Sequence, residues 1–226
     1  MVSAIIVAAG SSSRMGFDKL NAELNGISVL ARSVLAFQNC LDITEIRVVT
    51  SNEKLAEVTE LAVEIKADKF IEAVEGGTER HLSVWNGIQK VDAIHTKLIA
   101  VHDGARPLVT PSAISACAEV ASQSGGASLA HRITDTLKRS NADSEVSESI
   151  SRDNLWAMET PQIFDAKLLC EAYRKILEKG ELVTDEVSAM QAIGVKVQLV
   201  ENAEPNPKIT VSGDLVLAEK MLQDKV

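Results

Sequence analysis

The sequence predicts an α/β fold: a mostly parallel, twisted sheet with helices on both faces, plus a projecting β-arm. Three observations carry that prediction. Short apolar runs alternate with helical patterns along most of the chain. The runs are almost continuously apolar, as strands buried on both faces are. The rhythm breaks after Gly125, where a polar, turn-rich stretch intervenes. The 226 residues suit one domain over 1–226, with the arm as a subregion at 131–155. A chain of this size buries enough surface to need no staples.

Taken in order, Ser3–Ala8 reads as a buried first strand. Its apolar run is too short for a signal segment and lacks a basic flank, so the mature protein is expected to start here. Ser28–Gln38 predicts a helix capped by Ser28, with Val29, Leu30, Val34, Leu35 and Phe37 apolar. Glu45–Thr50 is β-branched and predicts a strand. Glu53–Lys66 places Leu55, Val58, Leu61, Ala62 and Ile65 on one helical face. Phe70–Val74 predicts a strand. Thr78–Val91 predicts a helix with Thr78 as its cap and Glu79 in a favourable first turn. Lys97–His102 predicts a strand, and Pro111–Ser122 a helix beginning at proline.

Such alternation implies parallel strands joined by helices. Ligands of such sheets sit beyond the carboxyl ends of the strands, which singles out the loops at 9–19, 75–78 and 103–107. After Gly125, Ala127–Ile133 predicts a strand that Thr136–Lys138 extends, Asn141–Ser149 is polar, and Ser147–Leu155 returns. Exposed edges of this kind need a cover, which a partner chain can supply. The α/β pattern resumes with helices at Ala166–Lys179 and Asp185–Ile193, a strand at Lys196–Val200 and a helix at Gly213–Leu222.

Composition narrows the function. Twenty-three basic against 32 acidic residues give a net charge of −9, which argues against nucleic-acid binding. It leaves room for a local basic pocket that takes a small phosphorylated ligand. No apolar run approaches the roughly 18 residues of a membrane span. Cys40, Cys117 and Cys170 are widely spaced with no CxxC, so neither a disulfide framework nor a zinc site is readable. Reduced thiols in a cytoplasmic protein are the expectation.

Three motifs carry chemistry. Ala8-Ala9-Gly10-Ser11-Ser12-Ser13-Arg14-Met15-Gly16-Phe17-Asp18-Lys19 ends a strand in a loop of small residues and two cations. Small residues let backbone N–H groups approach phosphate oxygens, and the cations neutralise charge. Its spacing matches neither the P-loop nor the dinucleotide fingerprint. Glu75-Gly76-Gly77-Thr78-Glu79-Arg80, with Ser83 one turn on, lets backbone pass close to a flat base; a plain turn and helix cap is the alternative. Val101-His102-Asp103-Gly104-Ala105-Arg106-Pro107 sets a carboxylate at a strand's carboxyl end. Asp103 can bind a hydroxyl or help hold Mg²⁺, and Arg106 can take a phosphate bidentately; an Asp–Arg salt bridge is the alternative. His102 reads as a packed strand residue. Thr184-Asp185-Glu186 reads as a helix start.

In this order, and with Thr134-Asp135-Thr136-Leu137-Lys138-Arg139, Arg152-Asp153-Asn154-Leu155-Trp156, Thr160-Pro161-Gln162 and Lys208-Ile209-Thr210, the motifs closely resemble the 2-C-methyl-D-erythritol 4-phosphate cytidylyltransferase family, from about Ile5 to Leu222. The resemblance implies a Rossmann-like nucleotidyltransferase fold. It implies transfer of CMP from CTP to the alcohol phosphate with Mg²⁺, and a homodimer joined through the arm. Ala8, Ala9, Gly10, Gly76, Thr78 and Ser83 match positions around the cytosine, and Asp103 and Gly104 match those near the ribose and the alcohol. Arg14 and Lys19 match the pair that stabilises the transition state. Arg106, Thr136, Arg152, Thr184 and Lys208 match positions that hold the alcohol phosphate, with Thr136 and Arg152 crossing from the neighbouring subunit. Arg14, Lys19, Arg152 and Lys208 are the expected catalytic cations. Two other readings are a sibling enzyme acting on ribitol 5-phosphate and a nucleotide-binding module without catalysis.

Overall fold

The computed structural model describes residues 1–10 and 16–223. In chain order these form β1 (Val2–Val7), β2 (Glu23–Leu24), β3 (Ile27–Ser28), α1 (Val29–Gln38), β4 (Ile43–Thr50), α2 (Leu55–Glu64), β5 (Phe70–Glu75), α3 (Arg80–Ile88), β6 (Leu98–Asp103) and α4 (Pro111–Ser124). There follow β7 (Gly126–Arg132), β8 (Leu137–Ser140), β9 (Val146–Ile150), β10 (Trp156–Asp165), α5 (Ala166–Lys179), α6 (Glu186–Ala192), β11 (Gln198–Glu201) and α7 (Ser212–Gln223). Among the described residues, seven strands make one sheet in the order β11-β7-β10-β6-β1-β4-β5. In that sheet β10 alone runs antiparallel to its neighbours. No helix there is long and apolar enough to cross a membrane.

Strand alternation splits the core in two, because successive side chains point to opposite faces. Ala4 and Ile6 pack with Val34 and Phe37 of α1 and Ile114 of α4. Ile5 and Val101 pack on the other face with Val84 and Ile88 of α3 and Leu169, Tyr173 and Ile176 of α5. The helix ends obey local chemistry. Ser28 accepts from the Ala31 N–H at 3.2 Å, and Pro111 opens α4 behind the Thr110 cap. Gly125, at φ +83°, closes α4 in a left-handed turn that a side chain would strain.

Several expectations need correction. The helix expected from Glu53 begins as a 3₁₀ turn at Asn52–Lys54 before α2. Helix α3 starts at Arg80 rather than Thr78, and neither Thr78 nor Glu79 caps it. Instead the Gly77 N–H donates to Ser83 Oγ at 3.0 Å, which folds the glycine turn over the helix start. Strand β7 does not run on through Thr136: β8 leaves the main sheet and pairs only with β9.

Strand β10 was not expected at all. Its sequence, WAMETPQIFD, has no period-two apolar pattern and contains a proline. Pairing with β7 skips from Met158↔Ala130 to Gln162↔Ser128, and pairing with β6 begins at Gln162↔Val101. Pro161 therefore sits in an irregularity where no ladder needs its missing N–H.

Register brings the strand ends together. Val7 pairs with both Val49 and Asp103, and Thr50 pairs with Glu75. The carboxyl ends of β5, β4, β1 and β6 thus finish level, and the loops leaving them share one edge.

Helix α3 reaches this edge by lying tight on the sheet at Gly87. A β-carbon there would stand 2.7 Å from Ile5 Cγ2 and 3.0 Å from Val49 Cγ2. Both are branch methyls that cannot swing away without a rotamer change. Gly87→Val should cost about 3 kcal/mol by overpacking, a fall in Tm of roughly 6–12 °C for a chain this size. Thermal unfolding followed by circular dichroism checks it, and an unchanged Tm would remove Gly87 as the contact point.

Candidate active site

A cleft of about 400 Å³ opens at the shared edge. Val7, Ala8, Ala9 and Gly10 bring the end of β1 to it, with Lys19 from the same loop. The β5–α3 turn adds Gly77, Thr78, Glu79 and Arg80, with Ser83 behind them; β6 adds Asp103, and the segment after β11 adds Lys208. Of the expected site residues, Ala8, Ala9, Gly10, Lys19, Thr78, Ser83, Asp103 and Lys208 meet here.

The others stand elsewhere. Arg14 lies outside the described residues. Gly76 is not in the lining; Gly77 is. A β-carbon on Gly76 would meet Ala9 Cβ at 2.6 Å and Ser83 Oγ at 3.0 Å, so Gly76 lets the two loops close on each other. Gly104 faces inward: its N–H donates to Val7 O at 2.9 Å and its carbonyl accepts from Ser33 Oγ at 2.9 Å. Arg106 spends its guanidinium on the carbonyls of Asn206, at 2.7 Å, and Met158, at 3.2 Å. It clamps the segment that carries Lys208. Thr184 precedes α6 outside the lining. Thr136 and Arg152 are exposed on the arm, where an Arg152 N–H donates to Thr134 O.

Asp103 is the electrostatic centre. Lys208 Nζ lies 2.7 Å from Oδ2, Arg80 Nη2 3.1 Å from Oδ1, and Arg106 Nε 3.9 Å from Oδ2. Burial alone would push this carboxyl up, but Arg80, Lys208 and Arg106 together hold it well below the usual carboxylate range. Its backbone N–H donates to Thr160 Oγ1 at 3.0 Å. Burial lowers His102 to about 4, so its ring is neutral at pH 7. With Nε2 3.2 Å from Arg106 O and Nδ1 3.0 Å from Thr160 Oγ1, the tautomer is protonated on Nε2. Nδ1 then accepts the Thr160 hydroxyl proton. His102 braces the strand end and has no free nitrogen for chemistry.

The role of Arg80 was not read from the sequence. It donates to Asp103 and also to Glu186, Nη1 to Oε1 at 2.8 Å and Nη2 to Oε2 at 3.2 Å. A signal existed: a cation in the first turn of a helix opposes the helix dipole and needs a strong partner from elsewhere. That partner is 106 residues away in sequence.

Asp103, the residue expected to help hold Mg²⁺, has Lys208 Nζ 2.7 Å from Oδ2 and Arg80 Nη2 3.1 Å from Oδ1, so a cation there would share its oxygens with these side chains. Among the described residues, no group of three or more His, Cys, Asp or Glu could hold a metal ion.

Known proteins resemble this chain along nearly its whole length. The family model for IspD, 2-C-methyl-D-erythritol 4-phosphate cytidylyltransferase, matches residues 2–224. A curated 2-C-methyl-D-erythritol 4-phosphate cytidylyltransferase of Caldanaerobacter subterraneus subsp. tengcongensis is 41% identical over 229 residues, covering 98% of this chain and 99% of the relative. The crystal structure of 4-diphosphocytidyl-2C-methyl-D-erythritol synthase from Anaerococcus prevotii superposes with a TM-score of 0.86 at 28% identity, covering 98% of this chain and 96% of that one. That of 2-C-methyl-D-erythritol 4-phosphate cytidylyltransferase from Thermus thermophilus gives 0.79 at 27% identity, covering 97% and 98%.

The ion cluster predicts a stability pattern. Arg80→Met strands Glu186 in full burial and should cost about 3–5 kcal/mol near neutral pH. The depressed Asp103 value means that its contribution is complete above the unfolded carboxyl value near 4 and is lost as pH falls below it. In the variant Asp103 loses its Arg80 neighbour and takes a proton more readily, so the deficit should shrink on acidification. Urea midpoints across pH check this, and a deficit independent of pH would rule it out.

Proposed function

The chain belongs to the 2-C-methyl-D-erythritol 4-phosphate cytidylyltransferase family, and from that premise we propose that its cleft is where CTP and the alcohol phosphate meet. The enzyme joins CTP to 2-C-methyl-D-erythritol 4-phosphate to give 4-diphosphocytidyl-2-C-methyl-D-erythritol, a step of isoprenoid-precursor synthesis. One observation carries the assignment of the site: Lys19, Asp103 and Lys208 converge on a single wall of small residues at the carboxyl ends of the strands.

A phosphate oxygen of the acceptor attacks the α-phosphorus of CTP in line. The new P–O bond forms as the bond to the β-phosphate breaks, and pyrophosphate leaves. The nucleophile is already ionised, so no covalent intermediate or general base is needed. The work is positioning two polyanions and offsetting their charge. Ala8, Ala9 and Gly10, with Gly77, Thr78 and Ser83 across the gap, receive the cytidine. Lys19 neutralises charge at the α-phosphate, in the role that the family resemblance also gives Arg14. Lys19 Nζ donates to Ile209 O at 2.9 Å, which holds it next to the segment bearing Lys208. Asp103 and Lys208 hold the acceptor, and Thr184 lies on its flank.

The arm supplies Thr136 and Arg152 to the neighbouring subunit of a symmetric homodimer. Its two-stranded sheet has almost no buried residues of its own, and such a ribbon is marginal in water without support. The setting is the cytoplasm, in keeping with three free, buried cysteines. Pyrophosphate release from CTP with 2-C-methyl-D-erythritol 4-phosphate, beside ribitol 5-phosphate as the competing acceptor, tests the reading.

Lys19→Ala should lower kcat by about 10²–10³-fold, the loss of one contact to developing charge, with a much smaller change in KM for CTP. A near-normal kcat would exclude this role. Arg152→Ala and Lys19→Ala homodimers should both be nearly inactive. After subunit exchange about half the dimers are mixed, and each has one site with both cations intact, so roughly a quarter of all sites should recover. If exchange is demonstrated and no activity returns, Arg152 does not act in trans.

A further inference from the structure

Glu186 lies outside the cleft lining, yet it is fully buried and carries the strongest claim on Arg80. A guanidinium beside one carboxylate ordinarily forks onto both of its oxygens in parallel. Arg80 does not do this with Asp103. Its Nε and Nη2 both reach the same oxygen, Oδ1, at 3.3 and 3.1 Å, while Nη1 and Nη2 take the two oxygens of Glu186. Asp103 Oδ2 is thereby left for Lys208, at 2.7 Å.

Glu186 is itself fixed from three sides. The Tyr173 hydroxyl donates to Oε1 at 3.0 Å. Gln162 Oε1 accepts the backbone N–H groups of Glu186 and Val187, both at 3.1 Å. The Asp185 cap accepts from Ser188 N–H at 3.0 Å. Burial, reinforced by the neighbouring Glu186 charge, keeps Tyr173 well above its ordinary value, so it remains a donor throughout the working pH range.

We propose that Glu186, backed by Tyr173, is a positioning residue for the transfer reaction: it draws Arg80 back from Asp103 so that one oxygen of Asp103 stays with Lys208 and both face the acceptor. With Glu186 uncharged, Arg80 takes both oxygens of Asp103 and Lys208 loses its anchor. This rests on the reading of Asp103 and Lys208 as acceptor-holding groups.

The test is steady-state kinetics on the full chain with both substrates varied. Glu186→Gln keeps size and an acceptor oxygen but loses the charge. It should raise KM for 2-C-methyl-D-erythritol 4-phosphate about tenfold, the scale of one lost charged hydrogen bond, and leave KM for CTP within about twofold. Tyr173→Phe, which keeps Glu186 and the fold, should move the acceptor KM the same way by about two- to threefold. Because Glu186 acts through Asp103, Glu186→Gln in an Asp103→Asn background should add less than about twofold. Unchanged acceptor KM in Glu186→Gln overturns the proposal, as does an effect that multiplies in full in the Asp103→Asn background. Should Glu186→Gln fail to fold, an unchanged acceptor KM in Tyr173→Phe overturns it. Asp103→Asn alone separates the two layers. A wild-type acceptor KM there overturns the site reading and this inference with it. A raised one, beside an unaffected Glu186→Gln, overturns this inference alone.

Discussion

A carboxylate taken out of water must be met by cations, and at Asp103 those cations come from segments far apart in sequence: Arg80 at the head of α3, Lys208 after β11, and Arg106 in its own loop. Satisfying this one charge determines how the cleft is assembled. Arg80 reaches it because Gly87 lets α3 lie close on β1 and β4. Lys208 reaches it because Arg106 clamps the preceding residues and because Ile209 N–H donates to Ala105 O at 2.8 Å. The strand end stays in place because Thr160, on the antiparallel strand, receives its N–H. Removing a single partner from such a group costs far more than a surface pair is worth.

Strand β10 does the same work on the other side. Its polar residues are buried because they serve as hubs. Glu159 accepts from His131 at 2.6 Å, Asn202 at 2.9 Å and Asn206 at 3.0 Å. Gln162 takes two N–H groups at the start of α6. A strand of this composition joins the base of the arm to the cleft and ties α6 to the sheet. The parallel strands give most of their side chains to packing, with Arg47 of β4 and Asp103 of β6 as polar exceptions.

That difference explains what could be read from the sequence. Strands such as Glu45–Thr50 and helices such as Ala166–Lys179 announce themselves, because burial against the sheet writes an apolar pattern into the chain. That Ala8, Ala9, Gly10 and Lys19 after β1 and Asp103 at the end of β6 share one edge was legible, because ligands of such sheets sit beyond the carboxyl ends of the strands; these residues do line the cleft. Strand β10 was not legible, since Glu159, Thr160, Pro161 and Gln162 spell a loop by every local rule. Arg80 and Glu186 were not either: each looks like an ordinary surface charge at a helix start until the fold brings them together. Thr136 and Arg152 are proposed through family resemblance alone, for nothing local separates them from any exposed polar ribbon.

The arm and the cleft both carry ion pairs, but of different kinds. On and near the arm, Arg139–Glu148 and Arg132–Glu201 lie at 2.9 and 3.3 Å with every side chain more than half exposed. Around Asp103 the carboxylate is 11% exposed and its Glu186 counterpart not at all. Dissolved salt screens open charges over about 8 Å at physiological strength and reaches buried ones far less. The two regions therefore answer differently to ionic strength. The ribbon softens as salt rises, while the cluster that shapes the cleft keeps its geometry.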